Sequence, residues 1–396
     1  MGYTFSRNNL YAFSTVLRMR SSIMKKVALA TLMSAAISTN VIAQDYDPIY
    51  APSPEARNAA KATLVGLDQG HGHTVAAGLF GTIVTKQDEQ WQQAESPTSV
   101  LLTSVDIVNE DLIFISGHEG VLLKSNDGGQ TFTRILDGFE LLNLELPWID
   151  AQVQELEAAI DNAETPAEAS EYEYLLEELG FLMQGLEIQQ EVGPTKPLLD
   201  VEFINESVGV VAAAYGTLLR TEDGGESWEV ISDRIENPLG YHLNQLIVDP
   251  DGHLFLVGEY GLMFRSDDQG KTWSTLASPY HGSYFGGLVD SQGRFWAFGL
   301  RGNVFVSEDK GETFRAVDTP TRYNLNSGHV LEDGSVLLVG HSGVIVHIDE
   351  ESLDAELYSH ESNVPLAGVR ETENGNLVFV SRAGIQNFTL PAAEEE

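Results

Sequence analysis

The stretch SNDGGQTF at residues 125–132 returns three times along the chain, as TEDGGESW at 221–228, SDDQGKTW at 266–273 and SEDKGETF at 307–314. Each copy follows an alternating apolar run and has the pattern [ST]-x-D-x-G-x-[ST]-[WF]. An aspartate in such a turn can accept hydrogen bonds from the backbone N–H groups of its own turn, and the glycine can take the positive φ that a tight hairpin needs. We therefore interpret the motif as a self-capped turn between two strands.

The aspartates and the terminal aromatic residues of the motif have structural roles in this interpretation. We expect each aromatic ring to pack between neighbouring sheets. The copies lie on different repeats, so their side chains are too far apart to form one catalytic or sugar-stacking site. The motif residues are Asp127, Asp223, Asp268, Asp309, Phe132, Trp228, Trp273 and Phe314.

A second element marks the repeat even where the turn motif is absent. It consists of a small residue, two variable residues and a glycine, between two apolar runs. The second glycine is found at Gly81, Gly120, Gly216, Gly261, Gly302, Gly343 and Gly384. The intervals are 39, 96, 45, 41, 41 and 41 residues, and the long interval is one normal period plus about 55 inserted residues. The chain therefore contains seven repeats.

Each repeat contains four short runs with strand character, bounded by turn residues. Around Gly261 these runs are QLIVDPDG, HLFLVGEYG, LMFRSDDQG and KTWSTL. Alternation with a period of two residues is typical of half-buried antiparallel strands. The sequence thus predicts an all-β fold, a seven-bladed β-propeller of four-stranded antiparallel blades over residues 44–390. A β-helix would have a much shorter period, and helical repeats would show a 3.6-residue periodicity.

The last repeat ends without a fourth strand, because FVSRAGIQNFTL (379–390) is followed by an acidic tail, PAAEEE (391–396). The segment DYDPIYAPSP (45–54) precedes the first repeat. We expect this segment to supply the missing outer strand and to close the ring. Its three prolines are compatible only with an edge strand.

An acidic insertion at 138–196 interrupts the repeat between blades 2 and 3. Thr165-Pro166-Ala167-Glu168 predicts the start of a helix. Two apolar sets have helical spacing, Ile149, Val153, Leu156 and Ile160, and then Tyr174, Leu175, Leu179, Leu182, Met183 and Leu186. We expect an α-helical hairpin. It contains twelve acidic residues and no Lys or Arg between Trp148 and Glu191. Two alternatives stay open, a solvated decoration and an arm that docks a partner.

The overall charge limits the class of partner. The chain has 22 basic and 59 acidic residues, a formal net charge of −37, which argues against binding to nucleic acid. Such acidity also occurs as a plain adaptation for solubility. The chain has no cysteine, so it forms no disulfide or thiolate metal site, and this fits an oxidising compartment.

The first 43 residues resemble a secretory signal peptide. From Met24 they read MKKVALATLMSAAISTNVIA, with two lysines before an apolar run and small residues before Gln44. The apolar run is too short for a stable membrane span. We expect a true start at Met24, cleavage after residue 43, and a monomeric periplasmic or secreted product without a membrane span.

Candidate recognition residues cluster at one end of the predicted blades, which we call the upper face. It carries the turns between second and third strands and the connections between blades. Aromatic, histidine and polar side chains there suit recognition of a protein partner. The candidates are His118, Glu119, Tyr215, Tyr241, His242, Glu259, Tyr260, Tyr280, His281, Tyr284, Arg301, Tyr323, His341 and Arg382.

Two sequence features that could serve binding also have a structural interpretation. The leucine and asparagine of the related phrases YHLN (241–244) and YNLN (323–326) can serve packing alone. GHGH at 70–73 offers two histidines without a third ligand, which indicates a loop and no metal site. We expect no metal, no cofactor and no catalytic residue.

The turn motif resembles the Asp-box, or bacterial neuraminidase repeat, of sialidase-type propellers. A sialidase-like site would need three basic residues around the substrate carboxylate, a tyrosine nucleophile with a glutamate partner, and an acid. The arginine motif that the family carries near the start of its domain has no counterpart here, since TRIL at 133–136 is a strand after the first turn motif.

Over about residues 60–390 the compact repeat resembles more closely the photosystem II assembly and stability factor family. The resemblance implies an exported seven-bladed propeller that escorts or stabilises a membrane-protein partner without chemistry. Two features depart from the family, whose photosynthetic members have an arginine-rich binding face and lack the long insertion.

Two functions from different classes follow. The first is an exported, non-enzymatic scaffold that binds protein and assists assembly or stability of an envelope membrane-protein complex. The second is a sialidase-like glycoside hydrolase or a glycan-binding lectin. The second function requires several arginines and paired carboxylates at the central channel, whereas Arg301 and Arg382 are the arginines expected in the upper turns.

Overall fold

We describe the chain from a computed structural model, which covers residues 46–87, 90–372 and 374–391. The predicted signal peptide at 1–43, the start at Met24 and residues 392–396 of the acidic tail lie outside the described residues. No helix in the part of the chain that is described is both long enough and apolar enough to cross a membrane.

The described residues form 27 strands in seven antiparallel sheets. Blade 1 contains β1 (Leu64–Gly70), β2 (His73–Gly78), β3 (Ile83–Gln87) and β4 (Gln90–Gln93). Blade 2 contains β5 (Leu102–Ile107), β6 (Ile113–Gly117), β7 (Leu122–Ser125) and β8 (Thr133–Leu136). Blade 3 contains β9 (Leu198–Phe203), β10 (Gly209–Ala213), β11 (Leu218–Thr221) and β12 (Glu229–Val230).

The remaining four blades follow the same order. Blade 4 contains β13 (Leu243–Val248), β14 (Leu254–Gly258), β15 (Met263–Ser266) and β16 (Ser274–Thr275). Blade 5 contains β17 (Tyr284–Val289), β18 (Phe295–Gly299), β19 (Val304–Ser307) and β20 (Arg315–Val317). Blade 6 contains β21 (Leu325–Val330), β22 (Val336–Gly340), β23 (Val344–Ile348) and β24 (Ala355–Ser359). Blade 7 contains β25 (Leu366–Glu371), β26 (Leu377–Ser381) and β27 (Gly384–Phe388).

The blades form a closed ring around a central channel. Within each blade, every strand pairs with its neighbour in the chain. The first strand of each blade contacts the first strand of the next, and β25 contacts β1. Residues from all seven first strands line one cavity of about 410 Å³. The predicted seven-bladed propeller is confirmed, with blade 7 as the one sheet of three strands.

The second strand of each blade shows why the sequence packs this way. From blade 2 to blade 7 this strand is buried along its whole length, for example at Val336–Gly340. A strand that is covered on both faces needs a continuous apolar run, and VLLVG provides one. The core therefore lies between adjacent blades rather than within one.

The turn motifs have the predicted hydrogen bonds. Asp223 accepts from the backbone N–H of Ser227 at 2.9 Å, from its hydroxyl at 2.6 Å and from the hydroxyl of Thr221 at 2.7 Å. The hydrogen bond from Ser227 is the main reason why the pKa of Asp223 falls to about 2. Gly225 takes a φ of +85°, and Trp228 is buried between blades 2 and 3. The prediction of a self-capped turn is confirmed.

Residues 46–54, the described part of the segment predicted to close the ring, do not add a strand to blade 7, so the predicted closure is wrong. In the described part of this segment, the carbonyl oxygen of Pro48 accepts from the backbone N–H of Ser99 at 2.8 Å. Ile49 is buried among side chains of blades 1 and 2, and its carbonyl oxygen accepts from Arg134 at 2.7 Å. The segment therefore seals the junction of these two blades. The prolines explain why the segment does not form a strand, because they remove backbone N–H groups that strand pairing needs.

Ring closure depends instead on the first strands. Arg370 in β25 forms an ion pair of 2.9 Å with Asp68 in β1. The short 3-10 turn Ala59–Lys61 packs beside β27, and a Cβ at Gly384 would lie 2.1 Å from the carbonyl oxygen of Ala60. Blade 7 is thus joined to blade 1 by a polar contact in the channel, by this turn and by an apolar cluster in which Val380 packs against Leu64 and Leu67.

The insertion forms two antiparallel helices, α1 (Gly138–Asn162) and α2 (Pro166–Val192), as predicted. The predicted cap at Thr165 is present, since its side chain accepts from the N–H of Glu168 at 3.2 Å. The first helix begins earlier than the apolar stripe indicates. Asp137 and Glu140 form a capping box in which each side chain accepts from the other residue's backbone N–H.

Candidate functional site

The upper-face turns hold a non-glycine residue in the left-handed region in six of the seven blades. Both central residues of such a two-residue turn need a positive φ, which asparagine and glycine adopt most easily. The residues before the turn glycine are Phe80, Glu119, Tyr215, Tyr260, Arg301 and Ser342, with φ between 54° and 60°. Strained positions of this kind often display a functional side chain.

Three of these turns display a large aromatic ring. The exposed fraction is 56% for Phe80, 51% for Tyr215 and 64% for Tyr260. Exposed aromatic residues close together are a common property of protein-binding surfaces. Two of the three, Tyr215 and Tyr260, lie on adjacent blades and belong to one cluster.

We call this cluster the blade 3–4 patch and define it as Tyr215, Tyr241, His242, Glu259 and Tyr260. Tyr241 and Tyr260 are stacked, with ring centroids 5.0 Å apart and an interplanar angle of 7°. Tyr215 contacts His242 edge to face, also at 5.0 Å. The patch thus unites two upper turns with the connection between blades 3 and 4.

Hydrogen bonds fix the centre of the blade 3–4 patch. The backbone N–H of His242 donates to Oε2 of Glu259 at 3.0 Å, and Nδ1 of His242 accepts from the backbone N–H of Tyr215 at 3.3 Å. Glu259 keeps 41% of its side chain exposed. The patch therefore combines rigidly held rings with a carboxylate that still reaches solvent.

The helical hairpin lies next to the patch. Tyr174 on α2 is 45% exposed. Loss of water contact raises its pKa, and so do Glu178 and the nearby hydroxyl of Tyr241. Its predicted role in packing the two helices is wrong, because it is absent from the apolar cluster between them, which contains Leu186, Leu182 and Met183 from the same predicted set. Trp148 on α1 donates from its indole to Asp233 at 2.9 Å, which ties the hairpin to blade 3.

A buried polar cluster anchors the hairpin at its base. Lys196 is 2% exposed and forms an ion pair with Glu145 of α1. The hydroxyl of Thr217 donates to the same oxygen of Glu145 at 2.6 Å, and the ammonium of Lys196 donates to Thr217 at 2.7 Å. Leu141 is buried in the core of blades 2 and 3. The first turns of α1 are thus part of the propeller core, and the rest of the hairpin projects from it.

The other predicted recognition residues occupy different environments. His118 and Glu119 are half-buried beside the start of α1, where burial lowers the pKa of His118 and raises that of Glu119. The exposed members outside the patch lie on separate upper turns and connections, and they are His281, Arg301, Tyr323, His341 and Arg382. The structure does not bring these residues into one cluster with the patch.

Of two further predicted recognition residues, one belongs to the core and the other is partly buried against it. Tyr284 is fully buried, and burial raises its pKa to about 12. Tyr280 packs against Tyr284 and Phe305. The assignment of Tyr284 to a binding surface is therefore wrong, and Tyr280 has mainly a packing role.

The asparagines of the repeated phrases have a structural role, as the alternative interpretation proposed. Asn244 donates from its side chain to the carbonyl oxygen of Tyr284 in the next blade at 2.7 Å. Asn326 makes the same contact with Leu366 at 2.9 Å. Each asparagine links the first strands of adjacent blades.

The central channel contains a group of carboxylates that sequence reasoning missed. Asp68, Asp106 and Asp200 each accept a hydrogen bond of 2.8 to 3.0 Å from a backbone N–H in the first strand of the next blade. Burial raises the pKa of Asp200 to about 7 and raises that of Asp106 and of Glu202. The signal that could have found them is an acidic residue at the fifth position of three successive first strands, Asp68, Asp106 and Glu202, with Asp200 two residues before Glu202.

The channel does not supply the site that a sialidase-like enzyme needs. Among the described residues that line it, Arg370 is the single arginine, and it is paired with Asp68. Burial lowers the pKa of His329, which also lines the channel, to about 3. The carboxylates there serve as links between blades.

One further group of possible metal ligands, Asp249, Asp251 and His253, occurs in the turn between β13 and β14. Asp249 accepts from the backbone N–H groups of Asp251 and His253 at 2.9 and 2.8 Å. The ammonium of Lys310 lies 3.2 Å from Asp251, where it would repel a cation. In blade 5 the equivalent turn has Arg294 in place of the histidine, and it donates to its own turn aspartate. We interpret the group as a turn stabilised by its own aspartate.

Comparison with known proteins finds structures that resemble the fold of most of the chain and one family model that matches part of its sequence. A family model described as photosynthesis system II assembly factor YCF48 matches residues 185–280, which include blades 3 and 4. A search of curated protein sequences gives no match.

Solved structures of several propellers resemble the whole fold. The structure titled "YCF48 bound to D1 peptide" has 14% sequence identity and a TM-score of 0.53, over 88% of this chain and 98% of the other. YCF48 from Cyanidioschyzon merolae also has 14% identity, with a TM-score of 0.56 over 85% and 98%. A streptogramin B lyase has 12% identity and a TM-score of 0.60 over 83% and 93%.

Propellers with different functions thus share this architecture, and identities this low show the fold alone. The match to the family model is narrower, since it concerns the sequence of the two blades that carry the patch. The chain is therefore a seven-bladed β-propeller similar to the photosystem II assembly factor YCF48.

Proposed function

We propose that this protein is an exported, non-enzymatic scaffold that binds a protein subunit of an envelope membrane complex and assists its assembly or stability. The observation that carries the proposal is the blade 3–4 patch, where Tyr215 and Tyr260 are held exposed in left-handed turns. A binding role explains large side chains at positions where asparagine or glycine would be more stable.

The similar proteins support a binding role of this kind. The matching family model describes an assembly factor, and one similar structure is titled as bound to a peptide. A propeller offers a rigid platform, so little conformational entropy is lost in the scaffold when it binds. The hairpin extends this platform beside the patch, which favours its interpretation as part of the docking surface.

Site-specific photocrosslinking tests this proposal in cells. A photoreactive phenylalanine derivative in place of Tyr215 is expected to give one discrete adduct with a membrane protein, because this side chain is 51% exposed in the patch. The same probe in place of Glu226, an exposed residue of a turn motif at the opposite face, is the control. Equal adducts from both positions, or no adduct from Tyr215, would contradict the proposal.

Export is tested separately, since a scaffold for an envelope complex must reach that compartment. We expect the mature protein, purified from cells that express the full chain, to begin at Gln44 and to appear in the exported fraction. Mass spectrometry of the intact protein measures this. A product that keeps residues 24–43 and stays in the cell interior would rule out the envelope role.

A further inference from the structure

We propose that the blade 3–4 patch and the adjacent side of α2 bind an extended, positively charged polypeptide segment rich in lysine or arginine. This inference rests on the proposed function and names the chemistry of the partner. Three observations carry it, the open aromatic rings, the excess of carboxylates and the geometry of the turns.

The aromatic rings provide faces for cations. Tyr260 is 64% exposed and stacks on Tyr241, so the outer face of this pair is open to solvent. A lysine or arginine side chain over a tyrosine ring is stabilised by about 0.5 to 2 kcal/mol, depending on how far it is desolvated. The protein already contains one such contact, because the guanidinium of Arg134 lies 4.4 Å from the centroid of the Tyr50 ring.

The charge around the rings selects cationic partners. Glu259 lies within the patch, and Glu177 and Glu178 follow Tyr174 on α2 by one turn. Between Trp148 and Glu191 the hairpin has twelve acidic residues and no lysine or arginine. An anionic segment would be repelled at this surface, whereas a cationic segment would be attracted over several ångströms before contact.

The turn geometry allows the Tyr260 ring to be removed without a loss of folding stability. Tyr260 has a φ of +58°, and an asparagine at this position would adopt the same conformation more easily. The ring contact that the structure gives Tyr260 is its stack with Tyr241, which leaves most of its surface exposed. Tyr260→Asn is therefore expected to fold with unchanged or slightly higher stability and to lose the ring that the cation contacts.

The test uses the full mature chain and a fluorescent, unstructured peptide in which lysine and arginine alternate with glycine and serine. Fluorescence anisotropy is expected to show binding that weakens as salt increases, because exposed charges are screened. For Tyr260→Asn we expect about tenfold weaker binding, which corresponds to about 1.4 kcal/mol. The matched control is Ser342→Asn, in the equivalent turn of blade 6 with a φ of +59°, and it should bind like the unmodified chain.

Three results would overturn the inference. They are equal binding by Tyr260→Asn, equal binding of a peptide with glutamate in place of lysine and arginine, and displacement of the peptide by a neutral oligosaccharide, which would indicate a glycan site. Thermal unfolding of each variant shows whether the fold is retained.

The inference and the proposed function fail in different experiments. If the Tyr215 probe captures one membrane protein but the cationic peptide does not bind, the charge inference is wrong and the proposed function stands. If the peptide binds through Tyr260 but no adduct forms in cells, the charge inference is supported and the proposed function is contradicted.

Discussion

Replacing Lys196 by methionine is expected to lower the free energy of unfolding by about 3 to 5 kcal/mol. The Lys196 side chain is 2% exposed and its ammonium pairs with Glu145, so removal of the ammonium leaves a carboxylate in the core without a counter-charge. Methionine keeps most of the side-chain volume, so the loss reports the charge rather than a cavity. Urea unfolding at neutral pH measures the change.

Two variants serve as controls for this prediction. Lys271→Met removes an exposed lysine that lies 3.9 Å from Glu222, and we expect a change below about 1 kcal/mol. Lys196→Met combined with Glu145→Leu removes both buried charges and should recover most of the stability. A loss below about 1 kcal/mol for Lys196→Met alone would show that the hairpin is not anchored by this pair.

Replacing Asp200 by asparagine is expected to stabilise the protein by about 2 to 4 kcal/mol at pH 8 and to change little at pH 4. Burial raises the folded-state pKa of Asp200 to about 7, against about 3.9 for an unfolded chain. A carboxyl group with a raised pKa contributes its full stability below the unfolded value, and this contribution is lost as the pH rises through the folded value. Asparagine resembles the protonated acid, so the variant should not show this loss.

Urea unfolding at a series of pH values between 4 and 8 measures the effect. The charges that face Asp200 in the channel are Asp68, Asp106 and Glu202. The control is Asp161→Asn at an exposed position of α1, and it should give a constant small difference. If Asp200→Asn is destabilising at pH 8, the carboxylate is needed in its ionised form and the expected sign is wrong.

Much of the fold could be predicted because it repeats. The turn motif specifies its own conformation through local hydrogen bonds, as at Asp223 and Ser227, so each copy identifies a hairpin without knowledge of the rest. The repeat length then sets the number of blades. The helical hairpin could also be predicted, since the helical spacing of its apolar residues differs from the two-residue period of the strands around it. The N-terminal cap of its first helix, at Asp137, was not predicted.

The closure of the ring could not be predicted in the same way. The sequence of 45–54 predicted a strand, but where the described part of this segment packs depends on contacts made far along the chain. Ile49 is buried among side chains of blades 1 and 2, and Arg134, 85 residues further along the chain, donates to its carbonyl oxygen. The sequence around Ile49 does not indicate where in the fold it will pack.

The candidate site was predicted in part for a related reason. Tyr260 and Tyr284 are both tyrosines near an upper turn, yet one is exposed and the other is fully buried. Tyr284 begins its first strand at the position where Leu243 and Leu325 begin theirs, and alignment of the repeats would have assigned it to the core. The neighbourhood of Tyr174 and Tyr241 is a tertiary contact that no repeat reveals.

The three-stranded blade 7 determines where the propeller is expected to open locally. Its outer strand β27 pairs with β26 on one side and, among the described residues, has no strand on its other side. The junction with blade 1 consists of the Arg370 ion pair, the Ala59–Lys61 turn and a small apolar cluster that includes Val380. Amide protons in β27 should therefore exchange with deuterium sooner than those in β14 or β18. We therefore expect the ring to open most easily between blades 7 and 1. Transient opening there would admit water to the channel, while the residues of the blade 3–4 patch on the other side of the ring keep their relative positions.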